Sequence, residues 1–458
     1  MKLPIKMNLI PGYSRYESIL AFYTLVASFA VKGDYSDEDI TKCWTKLQNQ
    51  YPYLCDYTTI TAKNDEVTDC GDNIPLKFDI KNVTSISDAL DEITDNLSKE
   101  IIQPSQSGIK HALLAYSKIS ISEDSKVFLF SLYASHSRTD LKSMTFLATA
   151  FLNQLEDGSK EVEVYPMESI YPTLLDKKLI PEEMDRPAIN EKYFNYKQPL
   201  NFDYMQVQDS IQLTSEEKAI VEEENKHHDE PIYFVSRTVK YTPEEMAKIR
   251  EFCKSKGLSV QALLDAAYLK AALEFFHSNR EDSDVINFQV IFDHRQAAIG
   301  TEKCIGNFPE AAYPYLSIEY CSKSVTEIAS ALTQQIKAIA QPNADSSLYS
   351  EAFNRYRLEC YHASSGEYTI NFSFSASNLG RFKCLDGLTP TMQKKFVDFK
   401  FVAGSQYPLP NNVAYLSSHM YGLFDGSSNH TLHFPYAVLY TPYVLRFLER
   451  IKELMLNC

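Results

Sequence analysis

The sequence predicts an α/β protein of two similar lobes, each a mixed β-sheet flanked by helices. Three observations carry this. Helical and strand-like segments alternate along the chain. Two halves of similar size are separated by a polar, charged stretch. The composition, 44% hydrophobic and 23% charged over 458 residues, is that of a globular chain long enough for more than one core. The expected organisation is a first lobe over 1–190, a connection over 191–231 and a second lobe over 232–458.

In the first half, the apolar run Ile19 to Val31 reads as a buried helix within Ser14 to Val31. Ser36 then caps a second helix, with Asp37, Glu38 and Asp39 in a first turn whose dipole favours acids. Pro52 biases Tyr51 away from helix and ends it. A helix is expected near Ser87 to Lys99. KVFLFSLYA, Lys126 to Ala134, is rich in β-branched and aromatic residues and reads as a buried strand. Met144 to Leu155 reads as helix. The stretch from Asp157 to Pro231, including LTSEEKAIVEEENKHHDEP, reads as a solvated connection between the halves.

The second half opens with a strand, Ile232 to Tyr241. Thr242, Pro243 and Glu245 then form a helix start: a cap, a proline at the first helical position and the partner of a capping box. That helix ends at Lys256-Gly257. The next starts at Ser259, with Leu258 and Leu263 placed for a hydrophobic staple. Strands are expected at Val285 to Phe292, Tyr368 to Ser375 and His430 to Leu439. An amphipathic helix, Tyr443 to Leu456, closes the chain and is expected to pack on its own lobe rather than on a membrane.

A formal net charge of -15 removes nucleic acid from the expected partners and disfavours an anionic membrane surface. No window reaches the ~18 uninterrupted apolar residues of a membrane span. The first residues lack the apolar core and cleavage site of a secretory signal. Nine cysteines without CxxC spacing suggest reduced thiols and a cytoplasmic home. The sequons at Asn82, Asn96, Asn371 and Asn429 read as chance matches. His430 and His433 do not share a strand face and His227-His228 lies in a polar segment, so no metal site is expected.

His136-Ser137-Arg138-Thr139-Asp140 is an HxxxD sequence, of which chance alone supplies about half a match in such a chain. Its context raises it: it follows the buried strand and precedes a helix, where a rigid strand end can hold a side chain. Strand, HxxxD and helix together resemble the active-site segment of the chloramphenicol acetyltransferase-like superfamily, which includes alcohol acetyltransferases, polyketide-associated acyltransferases and peptide-synthetase condensation domains. LQNQYPYL, the stretch from Tyr241 to Phe275, VIFDHRQ, IGNF at Ile305 to Phe308, and FSASNLG at Phe374 to Gly380 resemble further segments of that family in the same order. The alcohol acetyltransferase and polyketide-associated branch resembles the chain best, because Ser135 stands where condensation domains carry a second histidine and no DFGWG motif is present.

The resemblance implies the chloramphenicol acetyltransferase-like fold with its active-site channel between the lobes, and transfer of an acyl group, acetyl foremost, from acyl-CoA to a small-molecule alcohol, or an amine. His136 would be the general base. Asp140 would point away from substrate and pair with Arg295, or with Arg15 as second candidate. Ser377, or Ser375, would supply the hydrogen bond to the tetrahedral oxyanion. Lys254, Lys256 and Ser259, beside a helix N-terminus, would meet the CoA phosphates. No metal is implied, and the chain would act as a monomer. One departure stands out: Leu141 occupies the position of the family's glycine after the aspartate. Glycine allows conformations that leucine shares only under strain, so a reshaped loop or lost activity is expected from it. A non-catalytic binding module, and condensation-type transfer from a carrier-protein thioester, are the two alternatives.

Overall fold

The computed structural model describes residues 23–60, 66–70, 73–81, 83–102, 109–122, 125–136, 139–158, 199–228, 233–293, 305–306, 309–312, 314–339, 374–405 and 416–458. The strands of the two principal sheets are β1 (Tyr23–Lys32), β2 (Leu76–Lys77), β3 (Ala112–Ser122), β4 (Ser125–Ser135), β5 (Phe234–Tyr241), β6 (Val285–Asp293), β7 (Pro309–Ala312), β8 (Phe374–Arg381), β9 (Phe396–Ser405), β10 (Ser417–Gly422) and β11 (Ser428–Pro435). The helices are α1 (Asp37–Gln50), α2 (Ile86–Ile102), α3 (Leu141–Glu156), α4 (Ser215–Asn225), α5 (Pro243–Lys256), α6 (Val260–Phe275), α7 (Val325–Ile339), α8 (Pro390–Lys395) and α9 (Thr441–Leu456). None of the described helices is long and apolar enough to cross a membrane.

The first sheet runs β9-β1-β4-β3-β2, antiparallel except at the β3–β2 edge. Its central strands are buried on both faces. Leu25, Ala27 and Phe29 of β1 pack with α1 and α3, while Val26 and Ala30 pack with α2. This corrects the helix expected up to Val31: from Tyr23 onward the apolar run is a strand. A strand covered on both faces shows no alternation, and periodicity cannot then tell it from a buried helix. The second sheet runs β7-β6-β8-β10-β11-β5, with Tyr315–Ser317 also paired to β6. It is parallel at β6–β8 and β8–β10 and antiparallel elsewhere, and α6, α7 and α9 cover one face. Both sheets are thus mixed and helix-flanked, and the two-lobe α/β fold is observed.

Local signals hold where they rest on capping chemistry. Ser36 and Thr242 both close capping boxes, Pro243 sits in the first turn of α5, and Gly257 ends it in the left-handed conformation at φ 67°. The acidic stretch after Thr214 is solvated as expected but is helical: α4 is capped by Thr214 and bound to α9 through Glu217 and Arg446. Of the strand read as Tyr368 to Ser375, residues 368–373 lie outside the described residues, and the strand β8 runs from Phe374 to Arg381; that read as His430 to Leu439 is β11, which runs from Ser428 to Pro435.

The lobes interlock. After β8 the chain leaves the second lobe, packs Phe382, Leu385 and Met392 on the first core, and adds β9 to the first sheet beside β1. The outer edge of β9 is closed by the second sheet. Asn429 Nδ2 donates to Phe399 O at 2.7 Å, and Phe401 N donates to Tyr421 Oη at 2.8 Å. Side chains thereby satisfy backbone groups that an edge strand would leave open. Buried charges add a second tie: Lys400 of β9 pairs with Asp91 of α2, and Arg237 of β5 pairs with Asp95 at 2.8 Å.

Candidate active site

Strand β4 delivers His136 to the edge of the first lobe, and a short turn fixes it. Thr139 donates twice to Ser135 O, through its amide at 3.2 Å and its hydroxyl at 2.9 Å. The Thr139 carbonyl in turn lies 3.0 Å from His136 Nδ1. A carbonyl only accepts, so Nδ1 carries the proton, and the neutral tautomer that fits this contact has its lone pair at Nε2. Asp140 is buried and caps α3, its Oδ1 accepting from Ser143 N at 2.8 Å. Its carboxylate also faces the positive end of the helix dipole. Asp140 therefore caps the helix that follows the His136 turn. Arg295 and Arg15 lie outside the described residues. Asp293, two residues before Arg295, sits 3.4 Å from Lys142 Nζ, which brings the end of β6 to the start of α3. Ser143 Oγ donates to Gly306 O at 2.8 Å and accepts from Gly306 N at 2.9 Å, tying the IGNF segment to the same helix.

Leu141 is the first residue of α3 and packs against the first core. Ala437 is the one non-glycine described residue with positive φ. Leu141 itself therefore has an ordinary negative φ.

The second lobe meets His136 with a polar sheet face. Cross-strand partners share a face, so the pairs Ser377–His419, Ser417–His433 and His419–Thr431 place these side chains on one side of β8, β10 and β11. That side looks at the first sheet: Phe401 of β9 lies edge-on to the His419 ring at 5.8 Å, and a Cβ at Gly404 would reach His433 Cδ2 at 2.5 Å. Gly404 pairs with Thr24, and Thr24 with Ser135, so His433 and His136 occupy the same end of the first sheet. Ser377 thus belongs to the wall opposite the catalytic candidate. Its hydroxyl makes no hydrogen bond among the described residues. Ser375 lies two residues earlier in β8, paired with Gln289 and Ser417.

Sequence reasoning passed over His419. It is 8% exposed. Burial above all, then the neighbouring rings of His433, His430 and His136, pushes it down to about 3. It is a neutral wall of the site at any physiological pH. His430 is also held neutral by burial, at about 3, but lies on the opposite face against Ser418 at 2.6 Å. His430 and His433 are therefore on different faces, as the spacing implies. Only the alternation of HMYG against TLHF signalled the polar face, and no motif marks it. Among the described residues no group of three or more histidines, cysteines or acids is arranged to hold a metal.

Lys254 and Lys256 are exposed in the last turn of α5, where the helix dipole itself favours cations. Ser259 caps α6, its hydroxyl accepting from Ala262 N at 3.0 Å, so that hydroxyl is already engaged. The turn nevertheless lies near the site: Gln261, in the first turn of α6, hydrogen-bonds the backbone of β8 on both sides of Ser377.

No protein-family model matches the sequence, and no curated protein matches it at the sequence level. Solved structures do. The TRI3 trichothecene 15-O-acetyltransferase of Fusarium sporotrichioides superposes with a TM-score of 0.65 at 12% identity, over 98% of this chain and 94% of its own. Polyketide synthase associated protein 5 of Mycobacterium tuberculosis gives 0.59 at 12% identity, over 98% of both chains. The first condensation domain of the calcium-dependent antibiotic synthetase gives 0.58 at 11% identity, over 98% and 92%. The chain has the two-lobed fold that these acetyltransferase and condensation-domain structures share.

Proposed function

We propose that the protein is an acyltransferase that moves an acyl group, acetyl foremost, from acyl-CoA to the hydroxyl of a small-molecule acceptor, with an amine as the less favoured nucleophile. The observation that carries this reading is the His136 Nδ1 contact with the Thr139 carbonyl, which sets the imidazole in the form a general base needs. Nε2 takes the proton of the acceptor hydroxyl as its oxygen attacks the thioester carbonyl. The Ser377 hydroxyl donates to the oxyanion of the tetrahedral intermediate. When the C–S bond breaks, the imidazolium returns the proton to the leaving thiolate, so CoA departs as the free thiol and the base is regenerated. Holding both substrates between the lobes removes much of the entropic cost of their encounter. Asp140 acts behind the base through the turn it caps, and an Arg295 partner would fix it further. Lys254 and Lys256 would attract the CoA phosphates, with the α6 N-terminus close by. The soluble-monomer, cytoplasmic setting remains part of this proposal.

The test is thiol release from acetyl-CoA with a panel of alcohols and amines, beside an acyl thioester on a carrier protein. Acceptor-dependent CoA release with formation of the ester supports the proposal. Turnover confined to the carrier thioester replaces it with condensation-type transfer. Binding of CoA without turnover of any acceptor replaces it with a non-catalytic module.

A further inference from the structure

Among the described residues, strands β6 and β8 run parallel and pair at two positions, Phe288–Phe374 and Gln289–Ser375. Beyond Ser375, β8 stays paired to β10 on its other side through Asn378. Among the described residues, the edge that faced β6 then has no strand beside it at Ser377. One side chain takes the strand's place. Gln261 Nε2 donates to Ala376 O at 2.7 Å, and Asn378 N donates to Gln261 Oε1 at 2.7 Å. The carboxamide thus reproduces the donor and acceptor of a missing strand residue on either side of Ser377. Its second N–H is used too, donating to Asp265 Oδ1 at 2.9 Å, and a flipped amide would lose both bonds to the strand edge.

Asp265 sits one helical turn further along α6 and is 0% exposed. Its other oxygen, Oδ2, is buried without a hydrogen-bond partner among the described residues. Burial pushes this carboxyl well above its ordinary value, with the hydrogen bond from Gln261 to Oδ1 pulling the other way. Retaining a buried, half-satisfied acid behind the amide costs stability. Its Oδ1 lies directly behind the Gln261 amide.

We infer that Gln261 is a positioning residue that substitutes for a sheet neighbour at the splayed edge of β8 and holds the Ser377 hydroxyl toward the reacting carbonyl, with Asp265 as its support. The catalytic half of this inference rests on the proposed role of Ser377. A strand segment paired on one edge only would let the hydroxyl wander, and an oxyanion donor misplaced by about 1 Å forfeits much of its value. The amide clamp keeps the splayed edge open to the site without leaving β8 loose.

Two measurements test it, one independent of activity. In amide hydrogen exchange, Gln261→Leu is expected to speed exchange at Asn378 by about tenfold while amides of β11 and the middle of α6 keep their protection. Asp265→Asn, which keeps an acceptor oxygen, is expected to preserve the Asn378 protection better than Asp265→Leu. In acyl transfer, Gln261→Leu is expected to lower kcat by about tenfold or more with KM little changed, bounded by the ~10²–10³-fold that one oxyanion donor supplies. Introduced into Ser377→Ala, the same substitution is expected to cost less than about twofold, because it acts through a hydroxyl already removed. Full protection at Asn378 in Gln261→Leu, or an equal kcat loss in both backgrounds, overturns the inference. A wild-type protein that turns over no acyl donor defeats the proposed function instead, and the exchange experiment still decides whether Gln261 clamps β8.

Discussion

Replacing Lys400 by Met tests how the lobes are held together. The Lys400 side chain is 3% exposed and that of its partner Asp91 is 16%, and Lys400 Nζ also donates to Ser236 O at 2.9 Å. Removing one member of a buried pair leaves the other charge uncompensated, which costs ~3–5 kcal/mol. Arg237 also lies close enough to favour the Asp91 carboxylate, so the low end, ~3 kcal/mol, is expected. The loss depends on pH. Asp91 is held above its ordinary 3.8, chiefly by burial, with Lys400 and Arg237 pulling the other way. A carboxyl raised in the folded state contributes stability below its unfolded pKa and loses that contribution as pH rises through the folded value. Without Lys400 the folded value climbs further. The deficit of Lys400→Met is therefore largest at neutral pH and shrinks as pH falls toward 3.8. Urea unfolding at several pH values reads this directly, and Asp91→Leu in the same background is expected to recover most of the loss, since an apolar pair replaces a buried ion pair at little cost. A Lys400→Met protein within ~1 kcal/mol of wild type at pH 7, or a deficit that grows on acidification, would show that the Lys400–Asp91 pair does not hold the lobes together.

Three further substitutions probe other joints. Gly404→Ala puts a Cβ 2.5 Å from the buried His433 ring and is expected to cost ~1–3 kcal/mol in thermal or urea unfolding; an unchanged midpoint contradicts the close approach of β9 to β11. Ser143→Ala removes both hydrogen bonds to Gly306 and is expected to cost ~1–3 kcal/mol; a neutral result would mean that the IGNF segment is held by other means. Glu217 is pulled down to about 2, first by its hydrogen bonds with Arg446, so its contribution is present above pH ~4.5 and fades as pH falls toward 2. Both side chains are partly exposed, so Glu217→Gln is expected to remove ~1 kcal/mol or less at pH 7 and nothing at pH 2, read by denaturation at the two pH values.

Capping chemistry made much of the fold legible in the sequence. Ser36, Thr242-Pro243 and Ser259 each begin the helix they announce, because a cap is a local arrangement that the sequence spells out. The run through Tyr23 to Val31 was not legible as a strand, because burial on both faces erases the alternation that marks one. Nor was the passage of β9 into the first sheet, since strand pairing over such separations depends on tertiary context. At the site, His136 and Asp140 were marked by spacing and by the strand before them. Gln261 was not: its role exists only because β6 and β8 diverge, and no spacing in the sequence records that. His419 was hidden for a similar reason, since its environment comes from three strands that meet only in the folded chain.

In the proposed reaction, His136 is the base of an acyl transfer between the two lobes. Its most direct test is the rate of acylated product formed from acetyl-CoA and an accepted alcohol, followed by mass spectrometry for wild type and His136→Ala of matched thermal stability. Removing a general base is expected to lower the rate by about 10²–10⁴-fold while binding of CoA is retained. Equal rates in the two proteins would contradict the account.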